Sequence, residues 1–298
     1  MRLKATAAIL CLVLLMSVTA LAEGAKPPVR VSYLGPAGTY TEEAAQFFFP
    51  EGAALNPRET VNDAIAEVQA GAADCAVIPQ ENTLGGAVVN YVDALIASED
   101  VCVVGEVVLP ISQTLMGLPG AKIADIKTVC SHAQGLTQSA AWRAEYLPDA
   151  ETVEMPSTAA AASHVAETGD PSIAAVAAPG AAALYGLEVL AENVQITDAN
   201  KTRFYVLSMS PLEGEGLACA VFVATCDASR IDDIIVQMHE SGLEMVTLHD
   251  RPEGSRLGRY HYVIEVENPA GVTDQQIEAV CAMEGVRFAG RFNAVEKQ

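Results

Sequence analysis

From residue 29 onward, short runs rich in β-branched and aromatic residues alternate with longer alanine-rich runs, and the change of hydrophobic period predicts strands and helices in turn. Residues 29–34 read as a strand, Gly35-Pro36-Ala37-Gly38 as a turn, and Thr39 as the cap of a helix through residue 48, where Glu42 completes a capping-box pattern. A helix over 61–70, a strand over 75–78, a turn over 79–86 and a helix to residue 97 follow. The apolar runs 101–109 and 111–118, broken by Pro110, carry the chain into a second lobe. There the alternation repeats as strand 127–130, helix 134–146, strand 152–154, helix 158–166, strand 173–177 and helix 181–185, before residues 187–208 return to the first lobe. Two crossings make residues 28–210 a two-lobed α/β body with a mainly parallel sheet and a cleft, the place where ligands bind.

Residues 211–216, PLEGEG, have the composition of a linker. The remainder, 217–298, reads strand 217–225, helix 229–241, strand 243–249, strand 260–267, helix 273–283 and strand 286–292, the βαββαβ order of a ferredoxin-like module. At the other end, Met1-Arg2-Leu3-Lys4, a long apolar run and Ala20-Leu21-Ala22 form a secretory signal over 1–22, cut before Glu23, so an exported protein is expected.

Composition narrows the function. Hydrophobic residues make up 51% of the 298 residues and aromatics only 5%, which suits alanine-rich helices packed closely on sheets. A net charge of −21 argues against a nucleic-acid partner, since phosphate binding needs clustered lysines and arginines. An anionic ligand would need a donor-rich pocket. Cys75, Cys102, Cys130, Cys219, Cys226 and Cys281 show no C-x-x-C spacing, so no metal site is expected, and most lie in apolar runs where buried free thiols are the ordinary outcome.

The candidate chemistry centres on Asn200-Lys201-Thr202-Arg203-Phe204, which sets a hydroxyl and a guanidinium side by side at the start of an apolar strand. Alternation sends neighbouring side chains to opposite faces, so both reach one ligand only if the strand edge lies in a cleft. Four polar clusters punctuate the rest of the body: residues 35–39, residues 79–86 (PQENTLGG), Ser131-His132-Ala133-Gln134 with Gln138, and Ser157-Thr158. Each joins the N–H groups of a helix start to neutral hydroxyls or amides, which suits an anion without lysines. Thr39, Asn82 and Ser157 serve equally well as helix caps.

Taken in order, YLGPAGTYTEEAA, DCAVIPQENTLGGAV, SHAQGLTQS, PSTAAAA, AALYGLEVLAENV and KTRF make the chain resemble the prephenate dehydratases over nearly all of its length after the signal. The resemblance implies a periplasmic-binding-protein-like catalytic domain followed by a ferredoxin-like ACT regulatory domain. It implies conversion of prephenate to phenylpyruvate in L-phenylalanine biosynthesis, without a cofactor. Thr202 would assist departure of the ring hydroxyl, with Asn82 and Ser131 as further catalytic residues. Arg203 would bind the substrate's carboxylate end, and Thr39, Thr83, Gly85, Gln138, Ser157 and Thr158 would line the site.

That chemistry is intelligible from the residue types. Aromatisation supplies a large driving force, so a threonine hydroxyl, far too weak to be a strong acid, acts as a hydrogen-bond donor to the leaving oxygen. Neutral donors suit the departing carboxylate, because a salt bridge would stabilise the ground state more than the charge-dispersed transition state. Arg203 would then hold the pyruvyl carboxylate, which survives. His132 reads as a structural hydrogen-bonder.

Departures from the family pattern modify the expectation. Gln113 stands where family members often carry His, and Ala133 replaces the usual Pro. In the module, Asp227-Ala228-Ser229 stands in the family's Gly-Ala-Leu region, and His249-Asp250-Arg251-Pro252 in place of Glu-Ser-Arg-Pro. Weak or lost L-phenylalanine feedback is therefore expected. A homodimer or homotetramer is expected from the way ACT modules pair, and export implies an exported chorismate mutase as supplier of prephenate. The motifs do not separate prephenate from arogenate. A solute-binding or sensor protein for a small carboxylate would share the signal and the two lobes, but it needs no donor aimed at a leaving hydroxyl, and on that ground Thr202 favours the enzyme.

Overall fold

The computed structural model describes residues 27–297, so the expected signal segment lies outside the described residues. The first lobe carries β1 (Val29–Leu34), β2 (Ala53–Arg58), β3 (Cys75–Asn82), β4 (Gly86–Ala87), β5 (Cys102–Pro110) and β11 (Lys201–Ser208). Its helices are α1 (Tyr40–Phe48), α2 (Val61–Gln69) and α3 (Val89–Ala97). The sheet runs β5-β11-β3-β1-β2, with β4 beside β3, and β11 is antiparallel to both of its neighbours. Alternation gives β11 two buried faces. Phe204 and Val206 pack with α1 through Ala44 and Ala45, whereas Tyr205 and Leu207 pack with α2 and α3 through Ile65, Tyr91 and Leu95.

The second lobe is a five-stranded sheet in the order β10-β6-β9-β7-β8. It is built from β6 (Thr114–Gly117), β7 (Thr128–Ser131), β8 (Glu151–Glu154), β9 (Ile173–Ala177) and β10 (Glu188–Ala191). Its helices are α4 (Ala133–Gln138), α5 (Ala140–Tyr146), α6 (Thr158–Thr168) and α7 (Pro179–Tyr185). Small side chains bring helix and sheet together: Ala161, Ala162 and Ala181 lie fully buried against Cys130, Ala175 and Ala177.

The C-terminal module has β12 (Cys219–Asp227), α8 (Ile231–Glu240), β13 (Glu244–Pro252), β14 (Arg259–Glu267), α9 (Asp274–Cys281) and β15 (Val286–Phe292). Its antiparallel order, β13-β14-β12-β15, is the ferredoxin-like arrangement that the βαββαβ pattern predicts. β12 is apolar on both faces because both are covered. Ala220, Phe222 and Ala224 face the module's helices, and Val221 and Val223 join the core of the first lobe beside Tyr91 and Leu95. Gly290 of β15 sits so close to β5 that a Cβ there would lie 2.2 Å from the Val103 carbonyl oxygen, so only glycine permits this docking.

The fold is thus α/β, a two-lobed periplasmic-binding-protein-like body followed by a ferredoxin-like module. Three local differences from the sequence reading have clear causes. The helix expected over 134–146 breaks at Ser139, whose hydroxyl donates to Gly135 O at 2.8 Å, and resumes as α5. β2 gives no strand signal in the sequence, because AALNPR has weak alternation and a proline, which an edge strand tolerates. A last strand, β16 (Ala294–Glu296), leaves the module and pairs in parallel with β5, so the chain's end completes the first lobe's sheet.

Candidate active site

Where the chain crosses between lobes, the ends of the strands and the starts of the helices enclose a cavity of about 240 Å³. Thr39, Asn82, Gln113, His132, Gln134, Gln138, Ser157, Thr158 and Thr202 supply its polar lining, with Leu34 and Ile111 as apolar wall. Among the described residues, no lysine, arginine, aspartate or glutamate lines it. Helix starts compensate. Thr39 caps α1 by accepting from Glu42 N, and Ser157 caps α6 by accepting from Ala160 N at 3.0 Å. His132 caps the short α4 through Nδ1, at 3.3 Å from Gln134 N. The positive end of α6, with no acidic residue in its first turn, therefore faces a neutral, donor-rich space, the electrostatics an anion needs in a protein this acidic, whereas the start of α1 carries Glu42 and Glu43.

Asn82 is the hub of the site. Its Nδ2 donates to Thr202 Oγ1 at 2.9 Å and to Asn200 Oδ1 at 2.7 Å, and its Oδ1 accepts from Leu84 N and Gly85 N, each at 3.0 Å. The same oxygen accepts from Gln134 Nε2 at 3.1 Å, which links the two lobes across the cavity. Asn82 and Thr202 are direct register partners on β3 and β11. On the far wall Gln113 Nε2 donates to Gln138 Oε1 at 2.8 Å, which leaves the Gln138 amide N–H groups available to a ligand.

The structure brings together Thr202, Asn82, Thr39, Gln138, Ser157 and Thr158, and it places four other candidates elsewhere. Ser131 is fully buried and donates to Val176 O at 2.6 Å, a bond that ties β7 to β9, so it is corrected from a catalytic to a structural residue. Thr83 turns away to donate to Ala199 O and to accept from Lys201 N at 3.0 Å. Gly85 acts behind the wall, through its N–H to Asn82. Arg203 points to the opposite face of β11, where Nη2 binds Glu106 at 2.6 Å and also Glu265, so it does not reach the cavity as expected. Alternation along the strand is the reason. Gln113, Gln134 and His132 take part in the lining instead. A buried glutamine in an apolar run and an amide one residue inside a helix start were the available signals.

Of the module residues singled out, Arg251 pairs with Asp93 of α3 at 2.6 Å, and His249 Nδ1 is hydrogen-bonded to the Tyr91 hydroxyl. Asp227 pairs with Arg256, which holds its carboxyl below the usual carboxylate range. Ala228 and Ser229 form a short turn of helix before α8. Asp250 and Pro252 pair with Tyr262 and Tyr260 across β14. All six described cysteines are free.

Residues 31–211 match the family described as prephenate dehydratase. The chain is 34% identical over 263 residues to the bifunctional chorismate mutase/prephenate dehydratase of Neisseria gonorrhoeae, spanning 87% of this chain and 72% of that one. The crystal structure of prephenate dehydratase from Arthrobacter aurescens in complex with L-Phe is similar at a TM-score of 0.80 and 32% identity, over 89% of this chain and 90% of the other. GqqA, described as a novel type of quorum quenching acylase, is similar at a TM-score of 0.79 and 26% identity, over 89% and 98%.

Proposed function

The chain belongs to the prephenate dehydratase family, and from that premise we infer how the cleft works: it takes prephenate, releases the ring carboxylate as carbon dioxide and the ring hydroxyl as hydroxide, which takes up a proton from solvent to become water, and leaves phenylpyruvate. The observation that carries this reading is the Asn82–Thr202 hydrogen bond. With its oxygen accepting from Asn82, the Thr202 hydroxyl has its own proton to give to a leaving oxygen in the cavity. The cleavage is of a carbon–oxygen bond, assisted by a donor rather than by an acid. With no fixed cation in the lining, the departing carboxylate is held by neutral groups, which does not penalise dispersal of its charge. The pyruvyl carboxylate, which survives, is assigned to the start of α6 now that Arg203 is engaged elsewhere. A similar fold in an acylase means that the site residues, not the fold, bear the assignment.

We assign the ferredoxin-like module to the ACT regulatory class, with weak or absent L-phenylalanine control, because His249 and Arg251 are committed to α3. Assembly as a homodimer or homotetramer, export by the 1–22 segment, and supply of prephenate by an exported chorismate mutase complete the proposal; the signal pattern of Met1 to Ala22 supports the last two. The test is a cell-free assay with purified mature protein. Phenylpyruvate should form from prephenate with wild type and be nearly lost with Thr202→Ala. Equal activity of the two would refute the mechanism, and binding of prephenate without turnover by either would favour a solute-binding protein.

A further inference from the structure

On the face of β11 opposite the cleft lies a buried charge cluster that the dehydration chemistry does not use. Arg203, 17% exposed, is flanked by Glu106 of β5 at 3% and Glu265 of β14 at 1%, with Glu81 of β3 at 3.7 Å. Tyr205 donates to Glu265, and Gln80 Nε2 donates to the Tyr205 hydroxyl at 2.8 Å and to Glu265 Oε2 at 3.2 Å. From the module's edge, His249 of β13 lies 3.8 Å from Glu81 and bonds Tyr91 of α3. Glu265 thus enters the interface beside Val221, Val223 and Val263, as the module's one buried carboxylate among the described residues. A charge so placed is costly unless paired, so its pairing constrains how the two bodies dock.

The partner of that carboxylate is the next residue after Thr202. The β11–β3 ladder pairs Thr202 with Asn82 and Arg203 with Glu81, then shifts register between Arg203 and Phe204. A bulge loosens backbone pairing locally, so side-chain anchoring must fix the strand there. We propose that Glu265 is a positioning residue for the reaction: by holding Arg203 from the module side, it sets the twist of β11 and hence the aim of the Thr202 hydroxyl. The inference rests on the prephenate dehydratase reading of the cleft, and it makes the C-terminal module part of the machinery that aligns the donor. Burial, and then the nearby Glu265, push the Glu106 carboxyl up to about 7, against the opposing pull of Arg203.

The experiment compares wild type, E265Q, E265D and E267Q in the full mature chain, by the conversion of prephenate to phenylpyruvate and by near-ultraviolet circular dichroism. Glu267 lies exposed at the end of the same strand and serves as control. E265Q should lower kcat by about tenfold with KM within about twofold, E265D should fall between, and E267Q should match wild type, since a donor misplaced by a fraction of an ångström loses rate rather than affinity. A folded E265Q with wild-type kcat overturns the proposal, as does a loss of kcat that only tracks the folded fraction. If E265Q does not fold, a folded E265D with unchanged kcat overturns it. Wild type that fails to convert prephenate would instead sink the reading of the cleft itself.

Discussion

Asn82 donates to Thr202 across the β3–β11 ladder at 2.9 Å, and the direction of that bond decides what the threonine can do. Its oxygen accepts from Asn82, so its proton is free to turn toward the substrate. Thr202→Val keeps the shape and the β-branch but removes the donor. The expected loss in kcat is about 3 kcal/mol, a hundredfold or more, with KM little changed. Thr202→Ser, which keeps the hydroxyl, should recover most of the rate, and steady-state kinetics on prephenate check both.

Gly135 governs the wall of the same cavity from behind. A Cβ at that position would lie 2.3 Å from Ser131 Oγ and 3.3 Å from Thr158 Cγ2, and Ser131 is held in place by its bond to Val176 O. Gly135→Ala therefore has to push α4 away from β7. It should destabilise the protein by about 1–3 kcal/mol, as overpacking of a tight contact does. It should also raise KM for prephenate, because α4 carries Gln134 and Gln138. Thermal melts and kinetics on one preparation give both readouts.

Much of this is legible in the amino-acid sequence alone. The alternating periods carried the two lobes and the βαββαβ module, and strand 286–292 was placed to the residue. The site was legible where a side chain's direction follows from a helix start, as with Thr39, Ser157 and Thr158. It was not legible where direction depends on which strand lies alongside. Ser131 carries an attractive functional group, but its face is set by β9; Arg203 opposes Thr202 by simple alternation, and what the sequence hides is that the docked module supplies its partner Glu265. The strand β16 escaped for the same reason, since three residues with little pattern find their place only when β5 is there to pair with them.

The module's committed contacts bear on feedback. Arg251 is tied to Asp93 and His249 to Tyr91, so the segment that would have to receive an amino acid already holds the module against α3. Micromolar L-phenylalanine should change the initial rate on prephenate by less than about twofold, because an effector shifts a conformational equilibrium only through differential binding. Inhibition to near completion at that concentration would show that the segment is released in solution.

Glu106 should give the protein an unusual pH dependence of stability. Its carboxyl is raised from 4.5 to about 7 by burial first and by Glu265 second, so the folded state holds a proton that the unfolded chain has released across that window. A raised pKa on an acid contributes stability that is fully present below 4.5 and is lost as pH rises through about 7. Asp74, Asp170, Asp227 and Glu253 act with the opposite sign: each carboxyl is held low by hydrogen bonds to Arg30, Ser172, Arg256 and Ser255 respectively, and their contribution is lost only in more acidic solution. Urea midpoints should therefore rise as pH falls from 8 toward 5. Glu106→Gln mimics the protonated carboxyl, so it should flatten that slope and be more stable than wild type relative to pH 5 at pH 8. A slope unchanged in Glu106→Gln would mean that Glu106 is not the group responsible for it.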